Sequence, residues 1–185
     1  MAITPRLMTA DDLFNLPDDG MRHELVRGEL RTMPPTGLGH GEEESIFDGS
    51  LGPYVRSRKH GRVFVGDPGF ILERNPDTVR APDVAFMTHE RLAPTGVPTG
   101  YFRGVPDLAV EVISPNDRYT QVAEKIAEWL AHGVRLVFVV DPRRQTVDVH
   151  RPGQPIRTLG MDDMLEGEDV VPGWSMAVRE LFDQG

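Results

Sequence analysis

The tightest constraint on this chain lies between Val105 and Val140, where two apolar runs flank one amphipathic helix. Leu108 to Ile113 is short and apolar, with Glu111 in its middle. A Ser-Pro-Asn-Asp turn follows. After it comes a helical stretch to Ala131, whose Val122, Lys125, Ile126 and Trp129 recur at spacings of three and four. Val134 to Val140, VRLVFVV, is the most hydrophobic run in the protein and suits a central strand buried on both faces. Strand, helix and strand in this order predict a parallel pair with a right-handed crossover. Glu111 and Lys125 place two charges in elements that otherwise read as core. Charged groups seldom sit there unless they are paired, bound to a metal or catalytic.

The segments before this unit read as follows. Thr9 is a good N-cap for a helix over about Ala10 to Leu16, with Asp11 and Asp12 at its positive end. HELVRGELRTM reads as a hairpin turning at Arg27-Gly28, with Glu24 in its first strand. Glu42 to Lys59 reads as a helix that Gly49, Gly52 and Pro53 should kink or break. Three strand-like runs cover Arg62 to Val65, Gly69 to Glu73 and Val79 to Met87, the last containing Pro82-Asp83. His89 to Leu92 suits one helical turn, and Ala93 to Val105 a long loop or flap.

After the central unit, Thr146 to His150 alternates as a half-exposed strand and Ile156 to Leu159 is a weaker one. Asp169 to Trp174 reads as an edge segment, and Met176 to Phe182 as a closing helix. The elements specify an α/β (α+β) domain, a central mixed sheet flanked by helices, occupying residues 1–185 as one unit.

Composition narrows the function classes. The 185 residues carry a formal net charge of −9. That argues against broad non-specific nucleic-acid binding, which depends on neutralising phosphates with Lys and Arg. The dense basic cluster is Arg56, Arg58, Lys59, His60 and Arg62, readable as a solvated helix end or as a phosphate contact. With no cysteine there is neither a disulfide framework nor a thiolate metal site. No apolar run approaches the roughly 20 residues of a membrane span. MAITPRLMTADD lacks the apolar core of a signal peptide, so the expected location is cytoplasmic.

The candidate chemistry rests on carboxylates and one lysine. Strand alternation puts Glu111 on the face of Asp107 and Ala109, opposite Leu108, Val110 and Val112. Asp83 and Asp107 each follow a proline, and spacing alone does not choose between them. Lys125 lies on the core-facing stripe of its helix, so it either snorkels outward or points at a carboxylate. Several carboxylates and a lysine suit metal-assisted phosphodiester hydrolysis, with hard oxygen ligands favouring Mg²⁺ or Mn²⁺. H-E-x-x-H, P-loop, G-x-S-x-G and Rossmann glycine patterns are all missing.

Four stretches carry a resemblance. They are MTADDLFNLPDDGMRHELVRGEL, VRAPDVAFM, the run from VPDLAVEVISPNDRYTQ to VRLVFVVDP, and the closing VVPGWSMAVRELF. Together they resemble the Uma-type family of restriction-endonuclease-like proteins, within the PD-(D/E)XK nuclease superfamily. The resemblance implies a restriction-endonuclease-like core and members that associate as homodimers. It also implies a Mg²⁺- or Mn²⁺-dependent endonuclease acting on nucleic acid, with DNA as the substrate. Carried over by position, Asp83 matches the Pro-Asp aspartate and Glu111 the second acid. The superfamily's lysine, two residues after that acid, is replaced here by Ile113, and Lys125 fits a lysine relocated to the next helix. Glu24 matches an additional carboxylate near the metal. The implied site is Glu24, Asp83 and Glu111 on the ion, with Lys125 assisting the attacking water. Asp107 is assigned a supporting or structural role. His40 falls where the family often carries a histidine, and an exposed loop histidine is the competing reading. The strong acidity keeps a second function open, a nuclease fold serving as a binding or regulatory module without turnover.

Overall fold

The computed structural model describes residues 6–115 and 117–183; Asn116, in the expected turn, lies outside them. Thr9 caps α1 (Ala10–Phe14) reciprocally: its hydroxyl accepts the Asp12 N–H at 3.1 Å, and Asp12 Oδ2 accepts the Thr9 N–H at 2.9 Å. Strands β1 (Arg22–Val26) and β2 (Glu29–Met33) form the predicted hairpin. Its two-residue turn puts Arg27 at φ 52° and Gly28 at φ 80°, the left-handed pair that matches strand twist.

Helix α2 (Leu38–Arg58) runs without the expected break. Phe47, Leu51 and Val55 recur every four residues, are fully buried, and hold both halves of the helix on one line. Pro53 faces solvent, so its ring and missing N–H disturb the exposed side of the helix rather than its packing. The helix also begins earlier than expected, and this places His40 in its first turn.

Next come β3 (Gly61–Val65), β4 (Phe70–Glu73), β5 (Thr78–Arg80) and β6 (Val84–Thr88). The single run expected over Val79 to Met87 is therefore two strands, and they belong to different sheets. Pro82 has no N–H to donate to a ladder, so pairing stops there and the chain crosses from one sheet to the other. Ala81-Pro82-Asp83 is that crossing.

The chain continues through α3 (His89–Leu92), β7 (Phe102–Arg103), β8 (Leu108–Val112), α4 (Tyr119–Ala131) and β9 (Leu136–Asp141). It then forms β10 (Thr146–His150), β11 (Arg157–Leu159), β12 (Met164–Glu166) and β13 (Ser175–Ala177), and closes with a 3₁₀ turn at Val178–Leu181. The C-terminal expectations are corrected here. Asp169 to Trp174 is a turn between β12 and β13, and the closing element is a strand plus a 3₁₀ turn rather than a helix.

A mixed α/β architecture results. The six-stranded sheet has the order β11-β10-β9-β8-β6-β3, with β8 and β9 parallel, as the strand–helix–strand reading requires. The hairpin does not stand alone. It is built into a second, five-stranded sheet, β2-β1-β5-β4-β7. Alternation along β8 separates two cores. Leu108, Val110 and Val112 pack with Phe47, Leu51 and Val55 of α2. Ala109 packs on the other face with Ile126 and Trp129 of α4. Glu111 shares that second face, which puts a carboxylate directly beneath α4. Among the described residues no helix is long and apolar enough to cross a membrane.

Candidate active site

Lys125 points inward from α4, and its side chain is only 17% accessible. Its Nζ donates to Glu111 Oε2 at 2.8 Å and to the Ala81 carbonyl at 2.7 Å, and lies 3.0 Å from Glu24 Oε1. One ammonium thus ties together β8, β1 and the crossing between the sheets. The other oxygen of Glu111 accepts the Trp129 indole N–H at 2.8 Å. Glu24 is held as fully. Oε1 also accepts the Ala81 N–H at 3.0 Å, and Oε2 accepts from Arg80 at 2.7 Å. Arg80 in turn donates to Glu128 Oε2 at 2.6 Å.

Burial sets the protonation behaviour of this cluster. It pushes the Glu111 carboxyl up to about 7; Lys125 works against the rise, while Asp83 and Glu24 add to it. Burial would also raise Glu24, but Lys125 and Arg80 outweigh it and hold that carboxyl below its ordinary value. Burial alone would lower Lys125, yet Glu111 and Glu24 keep the ammonium charged well beyond its usual range. Lys125 is therefore a standing positive charge, unsuited to acting as a base.

Asp83 belongs to a second cluster beside the first. Its Oδ2 accepts the Val112 N–H at 2.6 Å, which fixes the carboxylate against β8. Its Oδ1 lies 3.0 Å from His40 Nε2. The same nitrogen lies 2.9 Å from Glu44 Oε1, one helical turn along α2. Although buried and close to two carboxylates, Nε2 makes no well-angled hydrogen bond to either. On the opposite side of the ring, Nδ1 is 3.0 Å from the Ser114 hydroxyl. A metal-ligating histidine is commonly oriented this way, with a partner on one nitrogen and the other turned to the ion. Ligand atoms of His40, Glu44 and Asp83 all lie within 4.8 Å of one another, so the group could hold a metal ion. Burial works to lower the His40 pKa, but the close carboxylates of Asp83 and Glu44 raise it to about 10.

Both clusters open onto one cleft of about 970 Å³, lined among others by Arg22, Glu24, His40, Asp67, Asp83, Glu111, Ser114 and Lys125. Arg22 reaches in from β1, with Nη1 3.0 Å from Asp67 Oδ1 and 3.5 Å from Asp83 Oδ1. Glu24, Glu111 and Lys125 are thus in direct contact, and Asp83 stands next to them with His40. Asp107 is elsewhere, accepting the Thr88 N–H at 2.8 Å and Arg91 Nε at 2.9 Å. Of the two Pro-Asp pairs, Asp83 is the one in the cleft. His40 is buried, not an exposed loop residue.

Sequence reasoning missed Glu44, Ser114, Asp67 and Arg22. Glu44 carried a usable signal, the His-x-x-x-Glu spacing that puts two side chains on one helical face. Arg22 carried another, since it stands two residues before Glu24 and so on the same strand face.

The chain has the fold of a crystal structure described as "a putative nuclease belonging to DUF820" from Anabaena variabilis. The TM-score is 0.83 at 23% identity, over 95% of this chain and 98% of that one. Residues 10–179 match the Uma2 family, described as "Putative restriction endonuclease", and the chain belongs to that family. No curated protein matches it.

Proposed function

We propose that this protein is a metal-dependent endonuclease that hydrolyses phosphodiester bonds of nucleic acid, with DNA as its substrate. The observation that carries the reading is the buried His40 Nε2, converging with Asp83 and Glu44 beside a Lys125 ammonium held by Glu111 and Glu24. Membership in the Uma2 family supports it.

In this reading His40, Glu44 and Asp83 hold a divalent ion, and Glu111 is the adjoining carboxylate. One imidazole with carboxylates suits Mn²⁺ better than Mg²⁺, which favours all-oxygen surroundings. When bound, the ion supplies polarisation of a phosphoryl oxygen and acidification of water. The Ser114 hydroxyl orients His40. Lys125 places fixed positive charge where charge develops on the phosphoryl group. Glu111, raised by burial, is poised to accept a proton near neutral pH. Glu24 has both oxygens engaged, by Lys125, Arg80 and the Ala81 N–H. Its role here is to position Lys125 rather than to bind the ion. The same reading expects a cytoplasmic protein and a homodimer, and sedimentation velocity tests the dimer.

The test combines cleavage of plasmid and single-stranded DNA, with Mn²⁺ or Mg²⁺, and calorimetric metal titration. Wild type should cleave only with the divalent ion, while Asp83→Asn and Lys125→Met should each lose at least about 100-fold, as expected for removing a group that stabilises the transition state. Equal cleavage by all three proteins identifies a contaminant and refutes the assignment. A folded wild type that takes up no Mn²⁺ or Mg²⁺ leaves the binding or regulatory module as the reading.

A further inference from the structure

The cleft is unusually acidic for a site that must admit a polyanion. Glu24, Asp67, Asp83 and Glu111 all line it. Of its cations, Lys125 has Glu111, Glu24 and the Ala81 carbonyl as partners, and Arg80 is committed to Glu24 and Glu128. Arg22 differs. A guanidinium carries five N–H donors in a fixed fork. Among the described residues only Nη1 has a carboxylate partner, Asp67 at 3.0 Å with Asp83 farther away at 3.5 Å. Its Nε is buried and has no acceptor. A buried donor left without a partner costs free energy, and in a native site that calls for an explanation. The side chain is 24% accessible and lines the same cleft as Lys125 and Glu111.

We infer that Arg22 is the phosphate-binding residue of this centre, taking the non-bridging oxygens of a phosphodiester on its guanidinium fork beside Asp83. The inference rests on the nuclease reading for the identity of its ligand. A planar fork matches phosphate geometry in two parallel hydrogen bonds, which a lysine ammonium cannot reproduce. The donors open to an anion are those of the outer Nη atoms, since Nε itself is out of reach of solvent. Asp67 is the resting partner. It stands at φ 56° in the turn before β4 and holds the guanidinium until a phosphate replaces it. Arg22 and Glu24 project from the same face of β1, so one strand presents both the phosphate contact and the carboxylate that positions Lys125.

The test uses the full chain and a short fluorescein-labelled DNA, followed by fluorescence anisotropy with Ca²⁺ in place of Mn²⁺. Arg22→Met should weaken DNA binding about 10- to 100-fold, the range for losing charge-assisted hydrogen bonds. Arg22→Lys should recover only part of this. Arg31→Met, which removes the same charge from the neighbouring strand β2, should change binding by less than about 3-fold, as expected for an exposed ion pair. Arg22→Met should still take up Mn²⁺ and melt close to wild type. Excess inorganic phosphate should raise the melting temperature of wild type but not of Arg22→Met. Equal DNA affinity of wild type and Arg22→Met overturns the inference, as does an equal loss in Arg31→Met. Lost metal uptake or a collapse in melting temperature in Arg22→Met makes the residue structural and also overturns it. If wild type binds no DNA but shows the Arg22-dependent phosphate response, the nuclease reading fails and the anion site stands.

Discussion

Replacing Lys125 with methionine removes the single cation shared by two buried carboxylates, and the consequence for stability can be worked out. Methionine retains most of the side chain's length and apolar packing, so the change is chiefly electrostatic. Glu111 and Glu24 are 7% and 3% exposed, and each loses a contact of 3.0 Å or less. Breaking a buried ion pair by removing one partner costs about 3–5 kcal/mol. For a chain of this size each kcal/mol corresponds to about 2–4 °C, so Lys125→Met should melt about 6–20 °C below wild type at pH 8.

The pH dependence follows from the direction of the Glu111 shift. Its carboxyl is already raised from 4.5 to about 7 by burial, and losing Lys125 raises it further. A raised acid binds its proton more tightly in the folded chain than in the unfolded one. Well below pH 7 Glu111 is protonated in both proteins, so the deficit grows as pH rises above about 7, the wild-type value, toward the variant's higher one, and shrinks toward pH 5. Calorimetric melting of both proteins from pH 5 to 8.5 measures this. Adding Glu111→Gln to Lys125→Met should restore part of the loss, because one orphaned charge is gone. A variant melting within about 2 °C of wild type across the whole range would refute the reasoning, since an ion pair of that strength is ordinary only at exposed sites.

Other outcomes are equally direct. Ser114→Ala frees the His40 ring and should weaken Mn²⁺ binding about 10- to 100-fold in calorimetry, with little change in melting. Wild type should bind Mn²⁺ more tightly than Mg²⁺, and His40→Gln should narrow that preference because it removes the nitrogen ligand. Gly28→Ala forces a Cβ into the left-handed turn at φ 80° and to 2.7 Å from the Leu7 Cβ. It should cost about 1–2 kcal/mol from the backbone conformation alone, read as a lower melting temperature.

What the sequence discloses and what it hides have separate physical causes. The strand–helix–strand unit, the hairpin and the inward Lys125 follow from period-two and period-3.6 patterns, which local packing enforces. The two-sheet arrangement does not follow from them. Val79 to Met87 reads as a single run because both of its strands are buried, and only Pro82 marks the change of sheet. His40 stays ambiguous because Gly39 and Gly41 obscure a helix start whose first buried residues are His40 and Glu43. Glu44 sits inside an acidic run that looks solvated, yet its neighbour His40 turns one member of the run inward. Asp67 and Arg22 meet across 45 residues of chain, and no local pattern records such an encounter.

The crossing at Ala81-Pro82-Asp83 bears on how the protein comes into being. Lys125 needs Glu111 from the six-stranded sheet and Glu24 from the five-stranded one, and the carbonyl it grips belongs to the segment between them. A chain with one sheet formed and the other still open has every residue of the centre but not the centre itself. The Lys125 centre therefore reports on the docking of the two sheets, and loosening either one dismantles it while leaving the other's hydrogen-bond ladder intact.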